Sequence, residues 1–286
     1  MRRCTLLISD VHADLGALEA ILRLAKDPAF AERYGRVERT LNLGDVVQRG
    51  YHPCEVIDRL KGIERLESVR GNHDEAFMWS EAVSGSDARS RAAHADCRER
   101  GGWQEFFEPM PAFRVDREER LYAVHGGPLD PGCCPDQEEP LAAWLNSRAW
   151  QRISAAGVRY FDLSGYHYLP GDAFDAVRDA LEPGFAILCG HEHAEAAYRE
   201  RNGAVDDVLP GLATAAYTAA GRRVEARTLA LEDDANYLVR LGLAGPEGYY
   251  ARYGWDRCYF GAYHKEDGRR SISLLSFPLG RDAVPP

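Results

Sequence analysis

The stretch FAILCGHEHAEA, residues 185–196, runs through a strand-sized apolar segment, stops at Gly190 and then delivers His191 and His193 two positions apart. Four other stretches follow the same plan. TLLIS (5–9) leads into Asp10 and His12 of SDVH, and TLNL (40–43) into Asp45 of LGDVVQRG. LESV (66–69) leads into Asn72 and His73 of RGNHDE, and LYAV (121–124) into His125 of VHGG. Short apolar runs bounded by such breakers read as buried strands, Phe185–Cys189 among them. Helical patterns lie between them: Leu15–Ala25, with Leu18, Ile21, Leu22 and Ala25 on one face, then Cys54–Leu60 and Ala173–Leu181. Strand alternating with helix predicts an α/β fold. In such folds ligands bind beyond the carboxyl ends of the strands, which would bring all five turns to one crevice.

Working outward, the segment Ser80–Gly102 is polar and charged and reads as an excursion of loop and helix. After Val205 the pattern changes. Asn202-Gly203 and Asp267-Gly268 each sit between strand-like flanks, a hairpin signal that predicts antiparallel strands in the last third. Without a linker or repeat, the expectation is a single domain over 1–286, with a motif-bearing core at about 4–210 and a strand-rich C-terminal extension at about 211–286.

Composition narrows the function. The chain has 286 residues, 45% hydrophobic, and a formal charge of −10. A general nucleic-acid or anionic-membrane binder relies on excess Lys and Arg, so neither partner is expected. MRRCTLLISD offers too short an apolar core for an export signal, and no uncharged stretch approaches the ~20 residues that span a bilayer. Seven cysteines without a CxxC pair suit reduced thiols and a cytoplasmic location.

Of nine histidines, five fall in the turns quoted above. Taken singly, DxH or a lone His125 is an ordinary turn feature; five such clusters in order after strands are not. A pair of cations needs neutral imidazoles and carboxylates, one of them able to bridge. Mixed nitrogen and oxygen donors suit Mn, Fe or Zn better than Ca. Asp10, His12, Asp45, Asn72, His125, His191 and His193 are seven such donors.

As an ordered set, DxH, GDxxxRG, GNHD, His before Gly, and GHxH closely resemble the calcineurin-like metallophosphoesterase superfamily, over Asp10 to His193. The resemblance implies a four-layer sandwich of two mixed β-sheets flanked by helices, with two divalent or trivalent metal ions, Mn foremost and Fe or Zn as alternatives. One ion would be held by Asp10, His12 and His193, the other by Asn72, His125 and His191, with Asp45 bridging; His191 and His193, as alternate residues of an extended segment, would face the site with Glu192 turned away. Two cations ~3.5 to 4 Å apart lower the pKa of a shared water that attacks phosphorus. Arg49 is implied to bind substrate phosphate, with Asn72 beside it, and His73 to protonate the leaving oxygen as general acid. The expected partner is a small phosphorylated substrate. GHEH and the helix DLGALEAIL look most like the bacterial phosphodiesterase-like and diadenosine tetraphosphatase-like branches, which favours phosphomonoesters or nucleotide and dinucleoside polyphosphate anhydrides. A protein Ser/Thr phosphatase is the alternative, weakened because Gln48 stands where those enzymes carry a carboxylate; a non-catalytic scaffold is the rival from another class. His52 and His167 read as structural or exposed, and Trp144, Trp150, Tyr160 and Tyr166 as packing near the site.

Overall fold

In the first strand Leu6 and Ile8 bury on one side and Leu7 on the other. That alternation sets the layers of the computed structural model, which describes residues 2–81, 85–134 and 140–280. One sheet has the order β12 (Thr214–Ala219), β13 (Arg222–Leu231), β16 (Arg269–Pro278), β15 (Arg257–Glu266), β1 (Arg3–Ile8), β2 (Arg36–Asn42), β3 (Leu66–Ser68). The second runs β11 (Ala204–Asp207), β10 (Ala196–Arg201), β14 (Asn236–Arg240), β9 (Ala186–Cys189), β5 (Leu121–Val124), β4 (Phe113–Asp116). Both are mixed: β1, β2 and β3 are parallel, as are β5, β9 and β14, and their outer neighbours run antiparallel. A small third sheet joins β6 (Arg152–Ile153), β8 (Gly165–Tyr168) and β7 (Tyr160–Asp162).

Leu7, Leu41 and Leu274 of the first sheet meet Ala123, Leu188 and Val239 of the second in the central layer. On the outer face of the first sheet, Leu6, Ile8 and Phe260 pack against Leu18 and Ile21 of α1 (Leu15–Lys26), Phe30 of α2 (Pro28–Tyr34) and Val56 and Ile57 of α3 (Pro53–Lys61). Phe77 of α4 (Asn72–Met78), Cys97 of α5 (Ala88–Arg100) and Phe107 of α6 (Gln104–Phe107) extend that cluster. Tyr122, Val124, Ile187 and Cys189 face the opposite way, onto Phe174 and Val177 of α8 (Pro170–Val177). The expected helix–sheet–sheet–helix sandwich is therefore present, completed by α7 (Pro140–Leu145) and α9 (Glu247–Tyr253).

Three details differ from the sequence reading. The helix expected over Ala173–Leu181 begins at Pro170 and ends at Val177. Proline suits a first helical turn, and the Asp172 carboxylate accepts the Leu169 N–H at 2.9 Å. Reduced thiols were expected, yet Cys54 of α3 and Cys97 of α5 form a disulfide, Cα atoms 5.4 Å apart across 43 residues. Only the side-by-side packing of α3 and α5 brings them together. The segment after 211 supplies β14, which lies between β9 and β10, and β15, which pairs with β1, so it runs inside both sheets. Among the described residues no helix is long and apolar enough to cross a membrane.

Candidate active site

Five turns leave the carboxyl ends of β1, β2, β3, β5 and β9 and lace together through their backbones. Asp10 N–H donates to Gly44 O at 2.9 Å, His12 N–H to Asp45 O at 3.0 Å, and Gly190 N–H to His125 O at 2.8 Å. The buried Asp74 carboxylate accepts the N–H groups of Asp45, Val46 and Gly71 at 2.8 to 3.0 Å, clamping the Asp45 turn to the start of α4. Glycine is required where turns touch: a Cβ on Gly71 would lie 2.1 Å from Asp45 Oδ1, and one on Gly190 would lie 1.9 Å from Ser9 Oγ. Asp10, His12, Asp45, His191 and His193 all have φ between 46° and 72°. That left-handed conformation costs a non-glycine residue roughly 1 to 2 kcal/mol. Strain concentrated on five proposed ligands marks a site the rest of the fold over-determines.

The side chains converge as two clusters that share Asp45: Asp10, His12, Asp45 and His193, and Asp45, His125 and His191. In the first, His12 Nε2 and His193 Nε2 are 3.0 Å apart and His193 Nε2 is 3.4 Å from Asp10 Oδ1. Beside the second, His125 Nε2 lies 3.2 Å from Asp45 Oδ2 and 3.1 Å from Asn72 Oδ1. Donors bonded to one first-row ion at 2.0 to 2.2 Å sit about 2.8 to 3.6 Å apart, so these separations fit a shared cation. Asp10 Oδ1 and both ring nitrogens of His191 are buried without a hydrogen-bond partner. Buried polar atoms are rarely left so, and a cation is the partner this donor set lacks. His191 and His193 fall into different clusters, but not by strand alternation. Residues 191–194 form a bend, and it is the left-handed φ of both histidines that separates them. Glu192 does turn away, accepting the Ile153 N–H at 3.0 Å and pairing with Arg240.

Electrostatics follow from burial. Burial opposes charge on Asp45, but His125, His73 and His12 outweigh it and hold its pKa well below the carboxylate range. Burial likewise opposes protonation of His125, and the Asp45 carboxylate overcomes it, raising the pKa to about 9. His73 is lowered to about 3, first by burial and, against the pull of Asp45, by Arg49. Arg49 has no carboxylate partner among the described residues, and its buried Nε has no acceptor. Its guanidinium lies 5.4 Å from the Tyr249 ring centroid.

Two clusters that could each hold a metal ion, sharing one carboxylate, stand at the strand ends, and the sequence profile described as calcineurin-like phosphoesterase matches residues 5–195. The chain belongs to the calcineurin-like phosphoesterase family. It is therefore a metal-dependent phosphoester hydrolase, from a family that works with a dinuclear centre. No curated protein matches it. Among solved structures, a metallophosphoesterase from Sphaerobacter thermophilus aligns with a TM-score of 0.56 at 21% identity, over 94% of this chain and 86% of that one, in agreement on the fold. A hypothetical protein from Pyrococcus horikoshii OT3 aligns at 18% identity over 60% of this chain and 77% of that one, with a TM-score of 0.36.

This phosphoesterase also builds its site from residues the sequence reading passed over. His94 of α5 is buried; its Nε2 accepts the Gln48 N–H at 2.7 Å while its Nδ1 donates to Ser90 O at 2.7 Å. That contact holds the turn in which Gln48 and Arg49 have φ of 73° and 70°. Tyr249 of α9 places its hydroxyl 3.3 Å from His12 Nε2 and 3.4 Å from His193 Nε2. Neither residue lies in a ligand-type turn, so no local pattern marked it. Of the aromatic residues noted earlier, Trp150 does reach the site, with its ring centroid 6.0 Å from that of His191 and 4.9 Å from that of Trp144. Tyr160 instead stacks on His167 at 3.9 Å and Tyr166 packs in the outer core. His167 thus has a structural role in the small sheet, and His52 precedes α3 without capping it.

Proposed function

We propose that this phosphoesterase hydrolyses small phosphomonoesters or nucleotide and dinucleoside polyphosphate anhydrides. One ion would be held by Asp10, His12 and His193, the other by Asn72, His125 and His191, with Asp45 shared; manganese is the foremost choice. When bound, such a pair activates water and stabilises charge on the phosphoryl oxygens. The other steps belong to the chain. Arg49 supports the reading most directly: a cation beside the two clusters, unneutralised by any carboxylate among the described residues, can turn its fork of N–H groups to two oxygens of a terminal phosphate. A diester presents fewer free oxygens to that fork. Asn72 lies next to the same space through its amide.

His73 is assigned to the leaving oxygen. Burial keeps it neutral in the free protein, so it offers an N–H hydrogen bond at first and can release a full proton only when a dianionic phosphate beside it offsets that burial. Its Nδ1 has no partner, and Gln48 spends its backbone N–H on His94. Among the described residues no carboxylate side chain pairs with the His73 ring, and Gln48 stands where protein Ser/Thr phosphatases carry one, which supports small substrates over phosphoproteins. The test is a panel run after metal reconstitution: a generic monoester, a diester, dinucleoside polyphosphates and a phosphopeptide. Turnover of monoesters or polyphosphates above the other two is expected. Preference for the phosphopeptide or the diester would refute the substrate assignment, and no bound metal with no turnover would refute catalysis.

A further inference from the structure

Tyr249 enters the site from α9, beyond the residues 5–195 that carry the family match. Its ring is buried, edge-on to His193 at 5.0 Å and His12 at 5.6 Å, and backed by a stacked Trp255 at 5.4 Å. A Cβ on neighbouring Gly248 would lie 2.5 Å from the Arg49 backbone, so α9 is seated tightly and the phenol has little freedom to swing away. The hydroxyl stands 3.3 and 3.4 Å from His12 Nε2 and His193 Nε2, which are themselves 3.0 Å apart. All three separations fall in the window of about 2.8 to 3.6 Å expected of donors on one first-row ion.

Hydrogen-bond arithmetic points the same way. His12 Nδ1 faces Val47 O at 3.3 Å, so the proton belongs on Nδ1 and the Nε2 lone pair points at the phenol. Around that point stand the His12 and His193 Nε2 atoms, Asp10 Oδ1 without a partner, and the phenol oxygen. A cation placed among them would meet both imidazole nitrogens, the unpartnered carboxylate oxygen and the phenol oxygen at once.

We propose that Tyr249 supplies its phenol oxygen as a further ligand to the ion held by Asp10, His12 and His193. In that role the phenol would exchange its proton, lost to water, for the bond to the ion, with nothing oxidised or reduced. The proposal rests on the metal-centre reading, and the experiment separates the two. Metal-free protein is titrated with Zn(II) while bound zinc and the ultraviolet difference spectrum of tyrosine are followed. Wild type should show a phenolate difference band and release of one tyrosine proton as the Asp10–His12–His193 site fills. Tyr249→Phe keeps the ring packing and should still bind zinc, without the band and with that site weakened about tenfold. Tyr253→Phe, changed on the same helix but away from the ligands, should retain the band. Zinc bound with no band in wild type, or an equal band in Tyr249→Phe, would overturn the ligand assignment alone. Failure of wild type to bind zinc at all would overturn the metal-centre reading and this proposal with it.

Discussion

A neutral histidine that accepts one hydrogen bond and donates another loses the first when protonated, and His94 is built that way. Burial lowers its pKa to about 4, against the pull of the Ser90 carbonyl. Between about pH 6.5 and 4 the unfolded chain binds a proton on His94 that the folded chain refuses, so this contribution to stability is full above 6.5 and is lost as the pH falls towards 4. The loss amounts to at most about 3.5 kcal/mol, at ~1.4 kcal/mol per unit. His94→Gln should flatten that part of the stability profile. Urea midpoints of both proteins at pH 7 and 4.5 measure it, and equal slopes would contradict the account. At His73 the expectation concerns rate: His73→Ala should lose about 10²- to 10⁴-fold on alkyl phosphates and much less on a nitrophenyl ester, whose leaving oxygen needs no proton. Equal loss on both would count against a general acid. The seven proposed ligands were legible as residues because ligand chemistry restricts residue type. His94 and Tyr249 were not, because a histidine or tyrosine within a helix acquires its role only from what that helix packs against.

At the scale of elements, α5 is the clearest case. Its sequence reads only as a polar excursion, yet in the fold it carries His94 to Gln48 and is tied to α3 through Cys54–Cys97. Closing a loop of that length stabilises by at most about 4 kcal/mol through the unfolded chain. Cys97→Ser should therefore unfold at clearly lower urea than wild type, and wild type in reductant should match it; the same midpoint with and without reductant would refute the tether. The strands β1, β2, β3, β5 and β9 were readable to within a residue or so at their carboxyl ends, because each ends where a ligand-bearing turn begins. β14 left no comparable mark, since NYLVR is short and lacks a ligand-bearing turn after it.

For the whole molecule, a metal held by the buried Asp10 and Asp45 carboxylates and four converging imidazoles would couple its binding to folding. Adding Mn(II) at about 100 times its dissociation constant should stabilise the protein by about 2.7 kcal/mol per site, read as a rise in melting temperature that a chelator reverses. No rise would contradict the centre. Truncation after residue 210 would remove β14 from between β9 and β10 and β15 from beside β1, so the remaining chain should fail to form a soluble, cooperative unit. Size-exclusion chromatography and a melt decide this.

The order Asp10, His12, Asp45, Asn72, His125, His191, His193 was enough to indicate family, reaction class and α/β layering, because such ligands must follow strands and strands announce themselves by short apolar runs. Sequence could not divide the five strands three to one sheet and two to the other, nor place the last third inside both. It could not bring Tyr249 to His12 across the whole chain, nor Cys54 to Cys97. Those contacts depend on which faces of distant elements bury together, and that is settled by packing between layers that no local pattern encodes.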